Sequence, residues 1–277
     1  MSSCRQDTRA TAAHGTPPTP DIICVIDTHE RVRALEGAGC DASAAGALAS
    51  ETSTASNSAA AHALLRHVVA LLSGPDIAAR SLPRTATGKP FLVDGPAFSL
   101  AHAGDLVMVA VSAPGRRIDA IGCDLEVRTT VAMSEQRRAS VVAYADALLS
   151  DARLTCDMTR AGRAEVAEHA SVTPGETSND ATLAAWVALE AYAKWTGDGV
   201  FRVLSRGGVF DGASQADART MAVGTAPHAW ARGAFRPAHG ARHHWAIVAD
   251  ATATTVAVHD VESFAALRSR TPKLPRD

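Results

Sequence analysis

The stretch Ile121-Gly122-Cys123-Asp124-Leu125-Glu126 restricts the fold more than any other part of the chain. A period of two puts Asp124 and Glu126 on one side of an extended segment and turns Leu125 the other way, into a core. Two like charges on one face repel unless a cation sits between them. Magnesium suits such a place, because it takes oxygen ligands from one or two carboxylates and fills its other positions with water and phosphate oxygens. The plainer reading is a strand end with two solvated acids, and structural acids are far commoner than metal sites. Just upstream, residues 106–111 form a β-rich run closed by Ala113-Pro114-Gly115.

At 277 residues the chain has room for one large or two modest domains on the usual ~150-residue scale. Its 47% apolar content supports a sizeable core. A net charge of -2 gives no sign of a nucleic-acid or anionic-membrane partner. The cysteines Cys4, Cys24, Cys40, Cys123 and Cys156 are scattered without a C-x-x-C pair, so neither a disulfide framework nor a zinc site is suggested. That usage fits a reducing cytoplasm. No apolar stretch long enough for a signal peptide follows Arg5 and Arg9. The apolar run 68–72 is much too short to span a bilayer.

Residues 1–20 are polar, rich in Thr, Ala and Pro, and read as a disordered tail. Residues 21–27 read as a buried strand and 29–35 as a short helix; 37–58 are a weak helix or a loop. Residues 59–72 carry Leu64, Leu65, Val68, Leu71 and Leu72 on one helical stripe, stopped by Ser73-Gly74-Pro75. Helical patterning covers 141–167, a polar break covers 171–180, and 182–195 form a strong helix ended by Gly197-Asp198-Gly199. Residues 201–209 and 244–258 read as strands, the latter as a hairpin or meander, and 271–277 as a basic tail. Strands and helices mix without regular βαβ alternation, which predicts an α+β fold.

The helix 182–195 holds a second informative set. Trp186, Glu190 and Lys194 recur every four residues and share one face. A Glu followed four residues later by a Lys is also an ordinary helix pair, worth ~0.2–0.5 kcal/mol. Trp186 on that face implies partial cover, and the following Gly-x-Gly lets the chain turn back close to the helix. His102 lies among small residues, in Ala101-His102-Ala103-Gly104-Asp105, where a bulky ligand can approach the backbone; a capping or core histidine is the alternative. Lys89 stands on a rigid turn between Gly88 and Pro90, and is otherwise an ordinary solvated lysine. No G-x-S-x-G, Walker-type phosphate loop or H-E-x-x-H is present, and His243-His244 has no acidic or Cys residue near it in sequence to suggest a metal.

The order of these pieces carries more than any one of them. Gly88-Lys89-Pro90, then Phe98-x-Leu100-x-His102-x-Gly104-Asp105, then Gly122-x-Asp124-x-Glu126, then Trp186-x-x-x-Glu190-Ala191-x-x-Lys194-x-x-Gly197-x-Gly199 resembles the 4'-phosphopantetheinyl transferases of the larger, Sfp-type branch. The resemblance covers residues 87–199 and implies two pseudo-symmetric α+β halves, 21–115 and 116–268, with the active site in the cleft between them and a tail at 269–277. It implies transfer of the phosphopantetheine arm of coenzyme A to a serine hydroxyl of an acyl or peptidyl carrier protein, leaving 3',5'-ADP. Splitting a pyrophosphate needs charge neutralisation above all. By the resemblance Asp124, Glu126 and Glu190 hold Mg2+, Glu190 helps deprotonate the serine, and Lys194 steadies the phosphate. His102 contacts a phosphate of coenzyme A, Lys89 its nucleotide end and Arg66 the 3'-phosphate. A cytoplasmic monomer is the expected form.

The chain departs from that family at three positions. Ala101 and Ala103 flank the histidine where the family often has Ser, so hydroxyl–phosphate contacts are lost. Leu189 stands where the family helix usually has Lys, which implies one positive charge fewer near the phosphates; Leu189→Lys is therefore expected to leave activity equal or higher. These departures support an alternative, a degenerate relative that binds coenzyme A or a carrier protein without turnover. An unrelated α+β domain predicts instead that Asp124, Glu126 and Glu190 lie far apart in space.

Overall fold

The computed structural model describes residues 19–37, 53–127, 133–149, 153–158, 178–206, 208, 227–235, 242–260 and 263–266. The expected terminal tails apart from residues 19 and 20, most of the 37–58 segment and much of 149–177 lie outside them. The protein is a mixed α+β structure with two sheets, one of five strands and one of three.

The five-stranded sheet is built on β1 (Ile22–Thr28) and β3 (Leu106–Ser112), with β2 (Phe98–Ala103) at one edge and β8 (Thr255–His259) and β5 (Thr155–Met158) beyond β1. Both faces of β1 and β3 are covered, which is why their sequences are nearly continuous apolar runs. Helix α1 (His29–Gly37) follows β1. One face of the sheet takes α2 (Ser53–Ser73), which the short α3 (Pro75–Ala78) follows: Leu64, Leu65, Val68 and Val69 pack on Val25, Val107, Val109 and Val111. The stripe read from sequence is this face, with Leu71 and Leu72 half-buried at its edge.

The other face packs on the three-stranded sheet of β4 (Ile121–Val127), β6 (His228–Phe235) and β7 (His243–Asp250). Ile22, Cys24, Met108 and Ala110 meet Ile121, Cys123, Leu125 and Ile247 there. On the far side of the smaller sheet lie α4 (Glu135–Leu148) and α5 (Ser178–Thr196), packed on Trp230, Ala246 and Val248. The result is four layers, helix, sheet, sheet, helix, with β4 in an inner layer.

Three elements differ from the sequence expectation. The expected strand at 201–209 is a helix, α6 (Val200–Arg206), over its described part, with Val203 and Leu204 buried. Helix α4 ends at Leu148 rather than near residue 167, and β5 follows. The 244–258 segment is not a hairpin: β7 pairs with β4 and β6, whereas β8 leaves for the other sheet and runs parallel to β1. A local pattern cannot distinguish the two outcomes, because the choice is made by partners more than 200 residues away in the chain.

Candidate metal centre

Strand β4 supplies the site because its two faces have different neighbours. Ile121, Cys123 and Leu125 enter the core between the sheets. Gly122, Asp124 and Glu126 face α5. A Cβ on Gly122 would lie 1.9 Å from the carbonyl oxygen of Ala191 and 2.4 Å from the backbone nitrogen of Trp195, so α5 crosses directly over this residue. That close crossing brings Glu190 and Lys194 down onto Asp124 and Glu126.

Asp124, Glu126 and Glu190 each offer a carboxylate oxygen within 4.8 Å of the others, and together they can hold a metal ion. The expectation of three distant acids is thereby excluded. Asp124 is only 4% exposed. Its Oδ1 accepts from Lys194 Nζ at 2.7 Å, and the same ammonium donates to the Leu100 carbonyl on β2 at 3.3 Å. Its Oδ2 is buried and meets no N–H or O–H donor from an ionised neighbour. A proton on Glu190 directed at Asp124 is one remedy, and a cation is the other.

The electrostatics record this crowding. Burial, then the Asp124 charge, push the Glu190 carboxyl up to about 8. Burial and Asp124 likewise raise Glu126, partly offset by Lys194. Burial alone would pull the Lys194 ammonium down, but Asp124 and Glu190 outweigh it and its proton is held more tightly than usual. Three acids and one lysine leave an excess of negative charge that a divalent ion removes.

Lys194 and Glu190 also line a cleft of about 360 Å³, together with Lys89, Phe98, Leu100 and Val200. Lys89 is half-buried and donates from Nζ to the Ile121 carbonyl at 2.9 Å. Burial lowers its pKa, with Asp250 acting in the opposite sense. A second cavity of about 430 Å³ shares Thr87 and Lys89 with the first and is lined also by Ile118, Asp119 and Trp195.

The remaining candidates stand apart from the acids. His102 is exposed on β2, one strand position from the buried Ala101 and Ala103. Arg66 donates to the carbonyls of Ala78 and Arg80, tying α2 to the segment that follows it. Both alanines pack in the core between the sheets, and Leu189 is fully buried between α5 and α4. None of these three positions faces the cleft. The expectation for Leu189→Lys is accordingly reversed, since a lysine there would be enclosed in apolar side chains. His243-His244 lacks an acidic neighbour in sequence, yet the strand register sets His244 directly opposite Glu126. That neighbour was invisible without the β4–β7 pairing.

No protein-family model matches this chain, and no curated protein does either. No helix among the described residues is long and apolar enough to cross a membrane.

Proposed function

We propose that this chain is a 4'-phosphopantetheinyl transferase, which moves the phosphopantetheine arm of coenzyme A to a serine hydroxyl of an apo acyl or peptidyl carrier protein. The observation that supports this most is the convergence of Asp124, Glu126 and Glu190 beside Lys194, at a cleft bordered by the Gly88-Lys89-Pro90 turn. In this reading the serine oxygen attacks the phosphorus that carries the arm. The bond to the bridging pyrophosphate oxygen breaks, and 3',5'-ADP leaves with that oxygen.

The donor set is all oxygen, and one of its buried oxygens lacks a donor, which suits a hard cation such as Mg2+. Held by the three carboxylates, Mg2+ would supply neutralisation of the pyrophosphate charge. The chain's own groups do the rest. Lys194 is fixed between Asp124 and Leu100 and presents positive charge at the cleft wall. Glu190 lines the same cleft, where its carboxylate, freed of its proton when the ion binds, is within the site to accept the serine proton. Lys89 and the exposed His102 serve the phosphates of the nucleotide, and Arg66 its 3'-phosphate.

The reading includes two pseudo-symmetric halves, 21–115 and 116–268, with the cleft between them, acting as a cytoplasmic monomer. The hydrogen bonds of Lys194 to Leu100, and of the Cys123 amide to Ser99 Oγ at 3.0 Å, join the two ranges beside the cleft, while β5 and β8 of the second range complete the sheet of the first. The departures at residues 101, 103 and 189 all lie in apolar cores, so they do not favour a binder without turnover.

The test is incubation with an apo carrier protein, coenzyme A and Mg2+, followed by mass spectrometry of the carrier. A gain of one phosphopantetheine arm is expected. Coenzyme A binding without that gain would make the chain a binding module, and the absence of both would end the reading.

A further inference from the structure

Outside the acid cluster, one carboxylate joins two parts of the cleft. Asp250 closes β7. Its Oδ1 accepts from Trp195 Nε1 at 3.0 Å. Its Oδ2 accepts from the backbone N–H groups of Asp119 at 2.7 Å and Ala120 at 3.0 Å. These donors belong to the pieces that carry the two lysines. Trp195 follows Lys194 in the last turn of α5. Asp119 and Ala120 lead into Ile121, whose carbonyl holds Lys89. Asp119, Ala120, Ile121 and Trp195 also form a wall of the 430 Å³ cavity beside Lys89.

We propose that Asp250 is a positioning residue: it joins the end of α5 to the lead-in of β4, and so fixes Lys194 and Lys89 relative to each other for an anionic nucleotide. The ligand's identity as coenzyme A rests on the function proposed above. The division of labour between the two oxygens explains why a carboxylate is needed. An amide of the same size has one acceptor oxygen, and can keep the indole or the two backbone donors but not both. The hydrogen bonds of Asp250 go to Asp119, Ala120 and Trp195 and not to Asp124, Glu126 or Glu190, so its effect on the nucleotide is separable from metal binding.

The experiment compares the native chain with Asp250→Asn and Trp195→Phe by calorimetric titration of coenzyme A and of Mg2+, and by the KM and kcat of carrier modification. Asp250→Asn is expected to raise the dissociation constant and KM for coenzyme A about tenfold, with a smaller fall in kcat through Lys194 and Mg2+ affinity changed less than about threefold. Trp195→Phe loses the indole bond alone and is expected to give a smaller rise, about threefold, that is not additive with Asp250→Asn. It carries the test if the first variant does not fold. A lower thermal midpoint with unchanged KM and dissociation constant would reduce Asp250 to a structural residue and overturn the proposal. If the native chain itself binds no coenzyme A, the functional reading fails and the positioning role falls with it. If the native chain binds and both variants bind equally well, the positioning role alone fails.

Discussion

Asp21, at the mouth of β1, and Asp124, in the middle of β4, are both buried aspartates, and their surroundings are opposite. Oδ2 of Asp21 accepts from the backbone and hydroxyl groups of both Thr254 and Thr255, at 2.8 to 3.1 Å, and Oδ1 faces Arg116 Nε at 3.1 Å. Burial would raise its pKa, but the donors of Thr254 and Thr255 prevail and hold the carboxyl below its ordinary value. The carboxylate is saturated, and it locks β1 to the start of β8. Asp124 has one lysine and two further acids around it. Saturation marks a carboxylate used to hold the fold, whereas a surplus of negative charge in a buried place has to be answered by something from outside.

The contrast breaks most sharply under mutation. Asp124→Ala is expected to abolish carrier modification, by at least ~1,000-fold, because it removes a metal ligand and the partner that orients Lys194. The fold should survive, since Glu126 and Glu190 still face that lysine. Near-normal turnover in a folded variant, measured by carrier mass gain, would contradict the role given to the acids.

Gly122→Ala is expected to come next. Its methyl group would meet the backbone of α5, a contact that flexible side chains cannot relieve, and should cost ~3 kcal/mol or more. Displacing α5 moves Glu190 away from Asp124, so Mg2+ affinity should fall together with stability in urea unfolding. Retained affinity would mean that the helix crossing does not set the site.

Asp21→Ala supplies the opposite pole. It is expected to lower stability by ~2–3 kcal/mol through the lost donors, yet leave the specific activity of the folded fraction within about twofold. A specific loss of transfer would erase the distinction between the two aspartates.

The two sites also differ in pH dependence. Asp21 binds its proton more weakly folded than unfolded, so its contribution is present above pH 3.8 and is lost as pH falls through its lowered pKa. Glu190 keeps its proton to about pH 8 when folded but releases it near 4.5 when unfolded. The unfolded chain then binds fewer protons across that window. Stability of the metal-free protein should fall as pH rises from about 4.5 to about 8, by at most ~1.4 kcal/mol per pH unit from this group. Saturating Mg2+ should therefore raise the thermal midpoint more at pH 8 than at pH 6. An equal gain at both values would separate the ion from these acids.

Much of this was legible in the sequence where the relevant period is short. Alternation along β4 placed Asp124 and Glu126 together, and the spacing of four placed Glu190 with Lys194. What escaped depends on distant partners. Strand β6 reads His-Ala-Trp-Ala-Arg-Gly-Ala-Phe, with too many small residues for a clear strand signal, and is held by its full register with β7. Helix α6 contains Phe, two Val and a Leu, a strand-like content overridden by packing against α5. Leu189 looked like a position beside the phosphates because it precedes Glu190, but one helical step turns it to the opposite, buried face. Asp250 gave no signal at all, since an isolated aspartate becomes informative only when its three donors are seen.

Three carboxylates from β4 and α5 that share one divalent ion should reveal it in calorimetric titration of the metal-free protein with Mg2+ at pH 7, in buffers of different ionisation enthalpy. One ion per chain should bind with release of about one proton, and Glu190→Gln should bind more weakly and release none. Absence of a saturable site, or binding that Asp124→Ala and Glu190→Gln leave unchanged, would mean that these acids hold no ion together.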